Sequence, residues 1–329
     1  MSRRAILDVR YKGEDISSNI SLNLLSFVYT DNEQKEADHL DIVMSANILG
    51  GLNFTVGIDS ILDVGATLYD WNKAGEVIKV KWGRFAIDDI KLNSNMELTL
   101  SAISEKCATA FMKEKRSRTW ESISIKEAIE SIAQDNSMSV NWNSQKGTAK
   151  LDMLSQIDQT DADFIVEKVK NKCALKVKFN GCKIYVYQEY IKDSGLVYYP
   201  YNLSSYEFTK KIHGCYKACE VRYFNADNSQ MITYRAEDSN INNDAVLIID
   251  DVCNSTEEAK LMAEAKLKEA NLKSQLCNFS IMGDINLFSG YIIELKKFGS
   301  FSGKYIIEKV THTINSQGYV SNIECYLKR

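Results

Sequence analysis

The chain has 329 residues, enough for two or three domains with a core in each. Hydrophobic residues make up 45% and charged residues 26%, and the formal net charge of −4 argues against a dedicated nucleic-acid binder, which needs a basic face. No run of about 18 apolar residues occurs, so no membrane-spanning helix is expected, and MSRRAILDVRY is interrupted at Asp8 too early to be a signal-peptide core.

Residues 1–104 have the character of strands. AILDVRY, LDIVM, VIKVKW, FAIDDIKL and MELTLSAI are short, rich in β-branched or aromatic residues, and separated by polar or glycine-containing turns. Many short strands in succession predict a sandwich or barrel rather than a parallel α/β sheet. Past Ser104 the pattern changes, and SEKCATAFMKEKR predicts a helix. Ser124-Ile-Lys-Glu127 is a capping box, and Ile125, Ala128, Ile129, Ile132 and Ala133 follow it at helical spacing.

QIDQTDADFIVEKVK then crowds Asp158, Asp161 and Asp163 together. A calcium loop beginning at Asp158 would need glycine at its sixth position and glutamate at its twelfth, where the chain has Asp163 and Val169. Thr160 and Asp163 instead form a capping pair. Ala162, Ile165, Val166, Val169 and Cys173 supply an apolar stripe behind it. Asp161 and Asp163 fall in the first turn, where the helix dipole favours negative charge. These aspartates are expected to start a helix, with no metal bound.

ALKVKFNGCKIYVY predicts a hairpin turned by Asn180-Gly181 as a type I′ pair. The tyrosine-rich VYYPYNLSSY, which holds the only proline, Pro200, marks the end of an α+β part spanning 105–200. Over 201–329 strands return, including CYKACEVRYF and MITYRAE. Ser255-Thr-Glu-Glu258 caps one inserted helix, and Gly290, Gly303 and Gly318 mark bends between the last strands. The fold class is therefore mainly β with an α+β insert.

No constellation for catalysis emerges. The chain lacks GxSxG, GxxxxGK[ST], HExxH and GxGxxG. Asp88-Asp89 and Asp250-Asp251 are neighbours in sequence, and neighbours on a strand point to opposite faces, so neither pair can flank one bond. His213 with Cys215 and Cys219 lacks a clear fourth zinc ligand. Four residues of strand would hold those two cysteines roughly 13 Å apart, beyond the reach of a disulfide. Tyr185 and Tyr187 share a strand face that suits packing or a subunit contact.

QTDADFIVEKVKNKCALKVKFNGCKIYVY resembles the TD-x-x-F helix and hairpin of phage late control protein D and its relatives, baseplate hub proteins of contractile tails that share this part with the hub half of VgrG spikes. The match is carried by Thr160, Asp161 and Phe164 and by the hairpin at Asn180 and Gly181, with Cys173-Ala174 standing where relatives usually have a glycine. The C-terminal pattern is similar too, at Gly283, Asp284, Gly290, Gly303, Lys304, Tyr305, Ile307, Val310, His312, Gly318 and Tyr319, and WGRFAIDDIKL is a fainter echo. On residue chemistry alone, Tyr305 and Ile307 share one strand face and His312 is a packed, hydrogen-bonded strand histidine.

The resemblance implies two β-barrel-like hub domains, at 1–104 and 201–329, flanking or interleaved with the α+β domain. It implies a homotrimeric ring of six barrels that adapts a sixfold tail tube to a threefold spike. Expected partners are the tube protein, a spike on a separate chain and other baseplate proteins. No cofactor, catalysis or stable nucleic-acid binding is expected. Synthesis in the bacterial cytoplasm and assembly into a phage or phage-like baseplate follow. The competing expectations are a tail-associated peptidoglycan hydrolase and a carbohydrate-binding tail module. Strands facing the bore of such a ring should carry Asp, Glu, Asn, Ser and Thr in excess over Lys and Arg, so that cargo does not stick.

Overall fold

The computed structural model describes residues 3–33, 38–45, 57–58, 60–105, 110–173, 175–211, 213–225, 230–250 and 256–328. Its first part contains β1 (Arg4–Tyr11), β2 (Glu14–Asp15), helix α1 (Ser17–Asn23), β3 (Leu24–Asn32), β4 (His39–Ser45), β5 (Ile61–Tyr69), β6 (Val77–Leu92) and β7 (Glu97–Ser104). Strand alternation builds its core. On β4, Leu40, Ile42 and Met44 are buried, while His39, Asp41, Val43 and Ser45 face the other way. They pack with Phe27, Tyr29, Trp82 and Ile87 in one apolar cluster. VIKVKW and FAIDDIKL, two strands by sequence, are the two halves of β6. Its register with β5 slips between Val64 and Gly65, so one strand bends where the sequence suggested a break.

The middle part holds α2 (Ala110–Lys113), β8 (Lys115–Ser124), α3 (Ile125–Asp135), β9 (Ser139–Asn143), β10 (Lys150–Thr160), α4 (Asp161–Cys173), β11 (Lys176–Asn180) and β12 (Lys183–Tyr187). The helix expected over SEKCATAFMKEKR is shorter than its sequence suggested. Among the described residues it occupies Ala110–Lys113, and from Lys115 the chain pairs with β10 as strand β8. The capping box at Ser124 and Glu127 is present in both directions, and α3 buries the five apolar residues that follow it. The hairpin also forms, but its turn is displaced by one residue. Asn180 pairs with Lys183, so Gly181 and Cys182 make the loop, and Gly181 has a positive φ of +52° while Asn180 does not. This is a glycine-first two-residue turn in place of the type I′ pair.

The last part contains β13 (Lys192–Tyr198), a 3-10 turn at Pro200–Asn202, β14 (Ser205–Lys210), β15 (Ala218–Asn225), β16 (Gln230–Glu237), β17 (Val246–Asp250), α5 (Thr256–Asn271), β18 (Gln275–Met282), β19 (Tyr291–Leu295), β20 (Gly303–Asn315) and β21 (Gly318–Leu327). β13 precedes Pro200 yet pairs with β19. Cys215 lies ahead of β15 rather than on it, so the shared strand face expected for Cys215 and Cys219 does not exist. Both are buried free thiols. Strands β15–β17 and α5 form a small separate core around Cys219, Val221, Ala259 and Ala263. Ser255 and Asp251 lie outside the described residues.

One sheet of 13 strands connects the first and last parts, in the order β14-β18-β21-β20-β3-β4-β7-β6-β5-β1-β2, with β13 and β19 joining at β20. The fold is mainly β, with two barrel-like parts and an α+β insert. The decisive link is β3 against β20, seven antiparallel residue pairs from Lys309↔Asn32 to Asn315↔Ser26. Ile314 and Tyr319, near the chain's end, complete the N-terminal core.

Candidate functional site

Three parts of the chain meet where β3 ends, and a buried ionic cluster holds them. Lys178, on hairpin strand β11, is 4% exposed. Its ammonium pairs with Asp31 of β3, donates to Asn32 O at 2.7 Å and to Ser289 Oγ ahead of β19, and lies 3.8 Å from Asp38. Asp31 also accepts from the Ser289 backbone N–H at 2.7 Å. Beside it, Lys176 pairs with Glu33 at 2.8 Å, and Glu33 accepts from Tyr326 of β21 and Tyr187 of β12. Burial works to lower the Lys178 pKa, but the carboxylates of Asp31 and Asp38 outweigh it and raise it. Burial pushes the Asp38 carboxyl up, with the Asp31 charge adding to the shift. The cluster thus pins the α+β hairpin to both barrel-like parts.

A second cluster lies on the seam between β3 and β20. His312 is 1% exposed, its Nδ1 within 3.0 Å of Ser321 Oγ and 2.8 Å of the Tyr319 hydroxyl, and its ring stacks on Tyr29 at 5.8 Å. Burial lowers its pKa to about 4, so the ring is neutral at physiological pH. Tyr319 also packs over Gly283, where a Cβ would come within 2.2 Å of the tyrosine ring. Gly283 O accepts the Trp71 indole N–H at 2.7 Å, a bond from one barrel-like part to the other. Asp284 accepts from the Tyr198 hydroxyl at 3.1 Å.

The other residues singled out in the C-terminal pattern have structural positions. Gly290 N–H donates to Ile307 O at 2.7 Å, and Tyr305 and Ile307 enter the C-terminal core while Ile306 packs on the opposite side. Gly303 opens β20 opposite Leu295, Gly318 opens β21 opposite Asn315, and exposed Lys304 pairs with Asp193 at 2.8 Å.

Thr160, Asp161 and Phe164 lie in the α+β core instead. Thr160 Oγ1 accepts the Asp163 N–H at 3.1 Å, which is the expected cap. Phe164 is fully buried and stacks on Trp120 at 5.4 Å. Asp161 does more than favour the helix dipole. It is 0% exposed and is held by Arg118, by Arg116 at 3.4 Å, by Asn136 at 3.0 Å and by Gln156 at 3.0 Å, so it locks α4 to β8 and to the end of α3. Asp158 sits apart from it, exposed and paired with Lys115 at 2.9 Å. No group of three or more His, Cys, Asp or Glu with metal-site geometry occurs among the described residues.

Sequence reasoning missed Asp31, Glu33, Asp38, Lys176, Lys178, Arg116 and Arg118. The available signal was two lysines alternating with apolar residues in KVKF, charges on a strand whose neighbours demand burial.

Comparison with known proteins follows the same lines. The family described as Alg8 N-terminal domain matches residues 80–316, well over half of the chain. A probable baseplate hub protein of Escherichia phage 186 is 25% identical over 166 residues, covering 50% of this chain and 41% of that protein. The 43 kDa tail protein of prophage MuSo2 from Shewanella oneidensis is 10% identical, with a TM-score of 0.77 over 98% of each chain. A half-lidded Francisella PdpA–VgrG complex includes a chain with a TM-score of 0.60 at 10% identity, covering 99% of this chain and 58% of that one. The two structural likenesses establish a shared fold. Together with the phage relative they match the baseplate hub and VgrG resemblance of the sequence.

Proposed function

The chain belongs to the Alg8 N-terminal domain family, and from its likeness to a phage baseplate hub protein and to a prophage tail protein we propose that it is a structural baseplate hub of a contractile phage tail or phage-tail-like particle. In this reading three copies form a ring that joins a sixfold tail tube to a threefold spike, with other baseplate proteins around it. Residues 1–104 and 201–329 supply the two barrels, β13 counting with the second, and 105–200 is the α+β insert. One observation carries the proposal: two barrel-like cores are hydrogen-bonded into one sheet and sealed by buried Lys178, an arrangement suited to bearing load. The residues at Thr160, Asp161, Phe164, Asn180, Gly181 and the C-terminal pattern are then structural, and the protein works without catalysis or cofactor.

Light scattering of the chain co-purified with its tube and spike proteins tests this. A trimer with about 2,000 Å² or more buried per interface is expected. A chain that remains monomeric with both partners present would contradict the reading, and a clearing band on a peptidoglycan zymogram would favour a hydrolase.

A further inference from the structure

The small sheet of β16, β15 and β17 leaves one edge open. β17 runs parallel to β15, from Ala218↔Val246 to Arg222↔Asp250, and pairs with no other strand among the described residues. Ala245 O accepts from the N–H groups of Lys217 and Ala218, so the backbone groups of Leu247 and Ile249 turn to β15 as well. Those of Val246 and Ile248 point the other way, to the open edge, and bond no described residue. Leu247 and Ile249 are half-buried against the core under α5, and Ile248 is 49% exposed on the far face.

Exposed edges of natural sheets are blunted by lysine, proline or a bulge. β17 reads VLIID, with no lysine, no proline and no break in register. The opposite edge strand, β16, carries Arg235 in an ion ladder, 2.7 Å from Glu220 and 2.9 Å from Glu237. The flanks of β17 are acidic. Between Arg235 and Lys260 the sequence has no lysine or arginine, and Asp244, Asp250 and Asp251 bracket the strand. Asp244 is fully exposed, 3.7 Å from Lys217. Asp250 forms no ion pair among the described residues, because Arg222, its neighbour across β15, is held by Glu220 at 3.1 Å. A second copy of β17 laid against the first would set these carboxylates against their like. A basic strand would meet them with opposite charge.

We infer that the open edge of β17 takes an added strand from a partner protein, an extended segment of β-branched residues flanked by lysine or arginine. Main-chain bonds to Val246 and Ile248 hold it in place. Its side chains cover Ile248 on one face and Leu247 and Ile249 on the other, and its flanking cations meet Asp244 and Asp250. The edge is complete in a single copy of the chain.

The full chain and short synthetic peptides test this. By fluorescence anisotropy, KVTVTVK should bind at least about tenfold tighter than EVTVTVE at low salt, and the difference should shrink at high salt. A copy of KVTVTVK that is N-methylated at its valine and threonine amides should not bind, because it cannot donate to a strand edge. Bound KVTVTVK should slow hydrogen exchange at the amides of Val246 and Ile248. Ile248→Pro removes an outward N–H and leaves the bonds to β15, so the folded variant should lose KVTVTVK. Asp244→Lys with Asp250→Lys should transfer the preference to EVTVTVE, and this variant decides the matter where Ile248→Pro does not fold. Failure of KVTVTVK to bind, equal binding of the two charged peptides, protection away from β17, or an unchanged affinity in folded Ile248→Pro overturns the inference. Exchange at Val246 and Ile248 that slows with protein concentration alone would give the edge to a second copy and overturn it too.

Discussion

Lys178 shows how one residue can hold three parts of a chain together. Its ammonium is buried against Asp31, which is 0% exposed. Removing one member of such a pair strands the other charge, so Lys178→Met should cost about 3–5 kcal/mol, measured as a fall in urea midpoint. Lys178→Met combined with Asp31→Asn should recover part of the loss, since the Asp31 charge is then no longer buried without its partner. His312 gives a pH test. Its folded pKa of about 4 lies below the ordinary value of about 6.5, so the unfolded chain takes up the proton first as pH falls. The stability it contributes is full above pH ~6.5 and is lost as pH falls towards about 4, in total ~3 kcal/mol. Denaturant midpoints at pH 7 and pH 5 should therefore diverge more in the parent than in His312→Asn.

At the scale of an element, α4 shows two ways in which aspartates serve a helix. Thr160 caps it, and Thr160→Ala should cost about 0.5–2 kcal/mol. Asp161 anchors it to β8 through Arg116 and Arg118, so Asp161→Ala should cost more than Thr160→Ala, because it leaves two guanidinium groups without their buried partner. Thermal melts of the two variants check that order. EDTA should leave the melting temperature of the parent unchanged; a chelator effect would restore the metal reading of this aspartate cluster.

Across the whole molecule, stability should follow the sheet. The β3–β20 pairing, the Trp71–Gly283 bond and the ionic cluster tie the two barrel-like parts into one unit, whereas β15–β17 and α5 share a small core of their own. Native-state hydrogen exchange should find the amides of β3 and β20 opening together at the highest free energy, and those of β15–β17 opening earlier. Independent opening of the two barrel-like parts would show that the shared sheet does not couple them.

Local order determined what could be read directly. The capping box at Ser124, the N-cap bond at Thr160, the stripe of α3 and the strand at LDIVM are set by neighbours within a few residues, and each formed as its sequence implied. The turn at Gly181 was misplaced by one residue because pairing register, not the Asn-Gly dipeptide, chose the loop. LLSFVYTDN ends in Asp31 and Asn32, polar residues that look like a loop until Lys178 and Ser289 arrive to satisfy them, so β3 was hidden in the sequence. Lys178 lies 147 positions from Asp31 and meets it only when hairpin strand β11 docks on β3, and His312 stacks on Tyr29 only when β20 pairs with β3. Burial of charge is decided by partners distant in sequence, and those meet only in the folded chain.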